Sequence, residues 1–418
     1  MQRITLQIRE LINLFLKGRY VLFSNMLEKV TFFLLFIIIA RTYSKDIYGS
    51  IVALFALFNI IMSFFDFGFN IYFQRESALE KKDISEEIAN GLTVRLLSLF
   101  PYFLIAFTYF LITGGANQLL NYLLGAGVFI FGINNLLNSI LFGRKLFEAS
   151  FRLLLLARIV LMAGILITSF SGFAIEWTIM VFILSGVIHF LSLSIYLSRT
   201  AIAGLSLSLN PVLLKKIFRS SIPLGLGVIM GWLYDRVDVL ILKEYMGEAS
   251  VAIYAVAYSL YKFPQSFANG IFTPLFSNLS RAFSMNGYLT FTDIKKTLKF
   301  LLVYSAVVIA VVLTLGDQLV HLLYGSKYTE SCLFLPYLMI ALPFLLLNNM
   351  TGMILNACYK EYYATMSVVI AAGVNVAGNV MLIPVLGVTG AVLATILTEI
   401  SILTVQLFFI FRFKLINK

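Results

Sequence analysis

Eight ionisable residues stand inside or at the ends of long apolar stretches: Glu28, Lys29, Asp66, Asp235, Arg236, Asp238, Lys262 and Glu399. A charge at the centre of a membrane helix costs about 2.5–3.5 kcal/mol on insertion scales. Leaving even half of the eight in lipid would cost on the order of 10 kcal/mol, comparable to the folding stability of a whole domain. They must face a bundle interior, a water-filled cavity or the interface. Two kinds of chemistry are open to them there. Grouped bases can hold an anionic group of a substrate. Acids in a wet interior can bind H⁺ or Na⁺ and couple its movement to transport, or can simply offset the bases. Asp235 and Asp238 are three apart and share one helix face. Arg236 is rotated from Asp235 by about 100°. Lys262 precedes Pro264, which with Pro274 is expected to interrupt its helix and free backbone carbonyls beside protein or water. Lys29, Arg236 and Lys262 are the candidate substrate-binding bases. Glu28, Asp66, Asp235 and Asp238 are the candidates for ion coupling or charge balance, Asp66 with the weaker case because Phe67-Gly68 after it suggests a structural bend. Glu399 reads as a lone helix–helix polar contact.

The elements that must position these groups are apolar runs. The chain has 418 residues, 60% of them hydrophobic and 12% charged, with a mean hydropathy of +0.94. A soluble domain carries about 25% charged residues. Twelve runs reach the roughly 20 apolar residues needed to span a bilayer, the first near 19–40, the seventh and eighth near 222–242 and 251–276, the last two near 362–385 and 388–411. The predicted fold class is therefore all-α integral membrane with twelve transmembrane helices.

Most of the 31 Lys and Arg residues fall on one side of these runs if the N-terminus is cytoplasmic. The positive-inside rule then sets the orientation, and an even number of spans returns the C-terminus to the cytoplasm. The net charge of +11 is this topological signal, so no nucleic-acid partner is needed to explain it. Residues 1–17 mix apolar and basic residues and are expected at the inner interface, with no signal-peptide cleavage site after them.

Other chemistry is excluded. Cys332 and Cys358 open and close the tenth predicted span, too far apart to bridge, and neither has metal-ligand spacing with His189 or His321. No metal, cofactor or catalytic residue is assigned. The longest connections, 198–221 and 277–297, leave no room for a soluble catalytic domain, and there is no Gly-x-x-x-x-Gly-Lys loop for ATP.

The halves echo each other. Leu27-Glu28-Lys29-Val30 in the first span parallels Tyr234-Asp235-Arg236-Val237 in the seventh, and the stretch from Asn117 to Gly125 parallels that from Asp317 to Gly325. Six spans per half start both halves on the same side, which makes the repeat parallel. The predicted domains are an N-terminal six-helix lobe over 1–197, a cytoplasmic linker over 198–221 with Pro211, and a C-terminal six-helix lobe over 222–418.

One sequence signature points to a family. Asn375-Val376-Ala377-Gly378-Asn379-Val380-Met381-Leu382-Ile383-Pro384, followed by Gly387, Gly390-Ala391 and Ala394-Thr395, resembles the eleventh-to-twelfth-helix signature of polysaccharide flippases. Asp66-Phe67-Gly68 with Arg75-Glu76, and Ala255-Val256-Ala257-Tyr258, resemble it more loosely. In physical terms Pro384 ends a span, Gly387 and Gly390 permit a tight outer turn, and Ala391, Ala394 and Thr395 let the last span approach closely. The whole layout resembles the multidrug/oligosaccharidyl-lipid/polysaccharide (MOP) exporter superfamily, with a MATE-like arrangement, and most closely the Wzx-type O-antigen or repeat-unit flippases. The resemblance implies a polyprenyl (undecaprenyl)-pyrophosphate-linked oligosaccharide as substrate. It would be moved from the cytoplasmic to the outer leaflet of the bacterial inner membrane for O-antigen, lipopolysaccharide or other surface polysaccharide synthesis. It also implies ion-coupled alternating access using H⁺ or Na⁺, a cationic cavity to which Lys29, Arg236 and Lys262 correspond, contact with membrane lipids, and a polysaccharide polymerase and chain-length regulator as further partners.

Three alternatives are weighed beside it. A cation-coupled multidrug antiporter of the same superfamily would use Asp235 and Asp238 as its coupling site. A lipid II flippase would carry extra helices and more arginines in the first span. A membrane-embedded polymerase or glycosyltransferase would need a large outer loop, and the longest here, around 316–332, is short.

Overall fold

The computed structural model describes residues 2–79, 84–114, 118–200, 202 and 206–417, and their side chains except at 2–18, 118, 269–271, 273, 274 and 277. The expected interfacial side chains of 1–17 and the repeat match at Asn117 lie outside the described residues. Fourteen helical segments follow in order: α1 (Gln2–Thr42), α2 (Lys45–Asp66), α3 (Phe69–Ser77), α4 (Ser85–Leu97), α5 (Leu99–Thr113), α6 (Gln118–Gly143), α7 (Phe147–Phe170), α8 (Ile175–Arg199), α9 (Pro211–Asn286), α10 (Phe291–Tyr324), α11 (Ser331–Met339), α12 (Leu342–Ala357), α13 (Glu361–Leu386) and α14 (Val388–Arg412). A two-residue parallel pairing of β1 (Leu289–Thr290) with β2 (Ile416–Asn417) is the one departure from an all-helical chain among the described residues.

Nine described helices are long and apolar enough to cross a membrane, and α11 with α12, bent by 43° at their junction, makes a tenth. The seventh and eighth predicted spans lie in α9, two helices joined at Gly247, whose φ of 79° and ψ of 176° are not helical. This corrects the expectation for Pro264 and Pro274, which leave α9 unbroken. Large apolar side chains stay exposed along the helices, such as Phe100, Leu111, Ile112 and Phe170, as acyl chains as solvent would allow.

Contacts divide the chain into two units, Met1–Ile39 with Leu57–Ile229, and Ala40–Ala56 with Met230–Lys418. The stretch predicted as a linker, 198–221, is helical at both ends, because α8 runs to Arg199 and α9 begins at Pro211.

Within the N-terminal unit, the Asp66-Phe67-Gly68 motif is a sharp corner. Phe67 (φ 52°) and Gly68 (φ 75°) turn α2 into α3. A Cβ on Gly68 would stand 2.3 Å from the carbonyl oxygen of Ser221, so glycine is required both for its conformation and for the approach of α9. Arg95 of α4, fully buried, locks the corner by donating to Asp66 Oδ1 at 2.6 Å and to the carbonyl of Phe65 at 3.0 Å. The start of α9 is fixed against α4. Asn210 Oδ1 caps the helix by accepting from Val212 N and Leu213 N, Pro211 occupies its first turn, and Asn210 N donates to Asn90 Oδ1 at 2.7 Å.

Within the C-terminal unit, the family signature is the seam between α13 and α14. Gly387 (φ 58°) makes the turn, and a Cβ on Gly390 would lie 2.4 Å from the Leu382 carbonyl oxygen. Ala391, Ala394, Thr395, Asn375 and Asn379 are all buried there, and Asn375 donates to Thr398 at 3.2 Å. Pro384 sits inside α13, two residues before its end, slightly later than the sequence suggests. The α1–α2 turn belongs to this unit because it is tied down. Lys327 Nζ donates to the carbonyls of Arg41 and Tyr43, Tyr328 donates to the carbonyl of Ala40, and Lys45 pairs with Glu330 at 2.7 Å. Burial holds the Lys327 ammonium below its ordinary pKa. Gly49 of α2 admits the Glu248 carbonyl oxygen, which would lie 1.8 Å from a Cβ at that position.

Candidate functional site

The two arms of α9 and the helix α14 bring charged groups together in the C-terminal unit. Tyr234, Asp235, Arg236 and Asp238 come from the first arm, and Tyr254, Tyr258, Tyr261 and Lys262 from the second. Helical spacing explains the tyrosines, which recur at three or four residues and so line one face toward the acids. The Gly247 break folds the arms back so that this face meets the first arm.

Asp235 is the meeting point of the bases. Lys262 Nζ lies 3.0 Å from its Oδ1, Arg236 Nε lies 3.1 Å from its Oδ2, and Tyr258 donates to Oδ1 at 2.9 Å. The Arg236 contact is an ion pair without hydrogen-bond alignment, since Nε has no aligned acceptor. Lys262 also sits 5.2 Å from the Tyr234 ring centroid and 5.4 Å from that of Tyr258. Such contacts hold an ammonium without neutralising it.

Asp238 is sealed off from the others. Tyr254 donates to its Oδ2 at 2.5 Å, the Val239 amide donates to Oδ1 at 2.8 Å, and Tyr254 in turn meets Thr395 of α14 at 3.0 Å. Glu399, read from the sequence as a lone helix–helix polar contact, is a hub. It accepts from Tyr234 at 2.5 Å, Tyr261 at 3.1 Å and Asn348 of α12 at 2.7 Å, and its Oε1 lies 3.9 Å from Lys262. The overlooked signal was an acid four residues after Thr395, one turn on in a small-residue helix whose buried face was already legible. About two turns further along α14, Gln406 shares a short hydrogen bond with Thr351.

Of the predicted clamp, Arg236 and Lys262 both meet Asp235, and Glu399 lies 3.9 Å from Lys262. Lys29 belongs to α1 of the N-terminal unit, where it is exposed. Its neighbour Glu28 pairs with Arg158 of α7 at 3.3 Å. Arg158 lies buried, with its guanidinium 4.7 Å from the Phe131 centroid and 5.1 Å from that of Phe32. Asp66 is held by Arg95, described above. His189 is buried in α8, and His321 contacts Thr329. Among the described residues no His, Cys, Asp or Glu group has the arrangement of a metal site.

The sequence and the fold have counterparts among known proteins. The family model described as polysaccharide biosynthesis protein matches residues 16–280. The chain belongs to this family. A second model, MatE, matches residues 223–381. Among curated proteins, none matches the sequence. Solved structures with a similar fold include the lipid II flippase MurJ in an inward closed conformation, with a TM-score of 0.75 at 16% identity, covering 96% of this chain and 88% of that one. An inward-facing multidrug resistance MATE transporter of the MOP superfamily aligns with a TM-score of 0.69 at 16% identity, covering 95% and 94%. A MOP superfamily transporter from Pyrococcus furiosus, described as having a binding pocket of reversed polarity, aligns with a TM-score of 0.63 at 17% identity, covering 94% and 95%. The fold of this family member is thus MATE-like, and these structural neighbours are transporters and a flippase rather than enzymes.

Proposed function

We propose that this protein is a flippase that carries a polyprenyl-pyrophosphate-linked oligosaccharide from the cytoplasmic to the outer leaflet of a bacterial inner membrane, for O-antigen or another surface polysaccharide. The observation that carries the proposal is the polysaccharide biosynthesis match over 16–280, which takes in Lys29, Arg236 and Lys262. A pyrophosphate with attached sugars cannot cross hydrocarbon unaided, whereas a polyprenyl tail can remain in it. Arg236 and Lys262 supply a paired cationic locus for the pyrophosphate, and Lys29 supplies a further base. Asp235 and Asp238 are the candidates for H⁺ or Na⁺ coupling. Glu28 and Asp66 balance Arg158 and Arg95. A polysaccharide polymerase and a chain-length regulator are the downstream partners this role calls for.

A second reading, a cation-coupled multidrug antiporter, is favoured by the MatE match and by a site where carboxylates and tyrosine faces would attract an organic cation. Expression in a strain lacking its polysaccharide flippase tests the two. Restored surface polysaccharide with unchanged drug susceptibility supports the first reading. Raised drug resistance with no polysaccharide supports the second.

A further inference from the structure

The three carboxylates of this site, Asp235, Asp238 and Glu399, are not equivalent. The Asp235 side chain is 28% exposed, beside Arg236 at 33% and Lys262 at 19%, whereas Glu399 is 1% exposed. Asp238 is buried as well. Glu399 is fixed by two tyrosine hydroxyls and an amide, and Asp238 by a tyrosine hydroxyl and a backbone amide. Neither can leave without breaking bonds inside the helix packing. Asp235 meets both bases while 28% exposed, its contact with Arg236 is misaligned, and among the described residues Tyr258 is the further side chain that anchors it.

From this difference we infer that Asp235 is an internal counter-ion which an incoming pyrophosphate displaces from Arg236 and Lys262, and which retakes them to expel the substrate on the far side. The sealed Glu399 keeps Lys262 in place throughout the exchange, through the 3.9 Å contact and the shared tyrosine wall. A diphosphate oxygen set offers bases more negative charge and more acceptors than one carboxylate, so it wins while bound. Without a competing carboxylate the bases would hold the substrate too long.

The inference rests on the flippase reading, and its test separates the two. Binding of farnesyl pyrophosphate to the full chain in nanodiscs is measured by calorimetry, with farnesol as the uncharged control, and flipping of a fluorescent polyprenyl-pyrophosphate sugar is measured in proteoliposomes. Asp235→Asn is expected to bind farnesyl pyrophosphate about tenfold more tightly and to flip more slowly. Asp235→Glu, which restores the charge, is expected to return toward wild type in both. Glu399→Gln is expected to weaken binding, because it loosens Lys262. Tighter binding for Asp235→Asn and Glu399→Gln alike would reduce the effect to general charge and overturn the displacement role. So would equal binding by wild type and Asp235→Asn. Wild-type protein that binds farnesol as well as farnesyl pyrophosphate would instead overturn the flippase reading. If Asp235→Asn is poorly folded, Asp235→Ser provides the same neutralisation.

Discussion

Replacing Arg95 with Met is the sharpest test of how the buried charges are used. Arg95 is fully buried and holds both the Asp66 carboxylate at 2.6 Å and the Phe65 carbonyl at 3.0 Å, at the corner where α2 turns into α3. Methionine fills most of the same space but leaves a buried carboxylate without its cation. Breaking one side of a buried pair costs about 3–5 kcal/mol. For a unit of roughly 200 residues, that is a fall in melting temperature of about 6–20 °C. The double variant Arg95→Met with Asp66→Asn removes both charges and is expected to recover a large part of the loss, since a neutral amide is cheaper to bury than an unpaired carboxylate. Fluorescence-detected melting of the detergent-solubilised protein, at one fixed scan rate, measures both variants against wild type. A single variant that melts within about 2 °C of wild type, or a double variant no better than the single, would refute the assignment. The same pair decides the role of Asp66 in transport. If it balances charge, Asp66→Asn loses abundance but flips at the wild-type rate per molecule with unchanged ion dependence.

Further expectations follow from other contacts. Arg236→Ala and Lys262→Ala are each expected to lower flipping at least tenfold with protein level maintained, read as surface polysaccharide per molecule of membrane-inserted protein. Full activity of both would remove the bases from the substrate path. Gly49→Val puts carbon against the Glu248 carbonyl oxygen and is expected to destabilise by about 1–3 kcal/mol or more, seen as a lower melting temperature, whereas Gly231→Ala, in open space, should be well tolerated. Asn210→Ala removes the cap of α9 and the side-chain bond to Glu86 of α4, and should cost about 1 kcal/mol in the same melting assay.

Much of the fold was readable from composition and period. Long apolar runs, small residues in 387–395 and the Phe67-Gly68 corner each have one physical solution, and the structure adopts it. The break in α9 falls between the predicted seventh and eighth spans, at Gly247, but the interruption expected at Pro264 and Pro274 does not occur. A proline inside a long, well-packed helix can be accommodated, whereas a glycine at a positive φ provides the reversal. The buried bases Arg95 and Arg158 do not stand out in the sequence, since a base near a predicted helix end looks the same whether it snorkels to water or turns inward to an acid. The partner of each, Asp66 or Glu28, lies far along the chain, and only the packing reveals it. Glu399 reads as a lone polar contact for the same reason: its three hydrogen-bond donors come from both arms of α9 and from α12.

The most direct measurement is flipping of a fluorescent polyprenyl-pyrophosphate oligosaccharide by the purified chain in proteoliposomes, compared with the matching polyprenyl alcohol. Transport of the pyrophosphate species, lost in the Arg236→Ala/Lys262→Ala double variant and absent for the alcohol, is the predicted result. No transport by wild type, or equal transport by wild type and the double variant, would contradict the account.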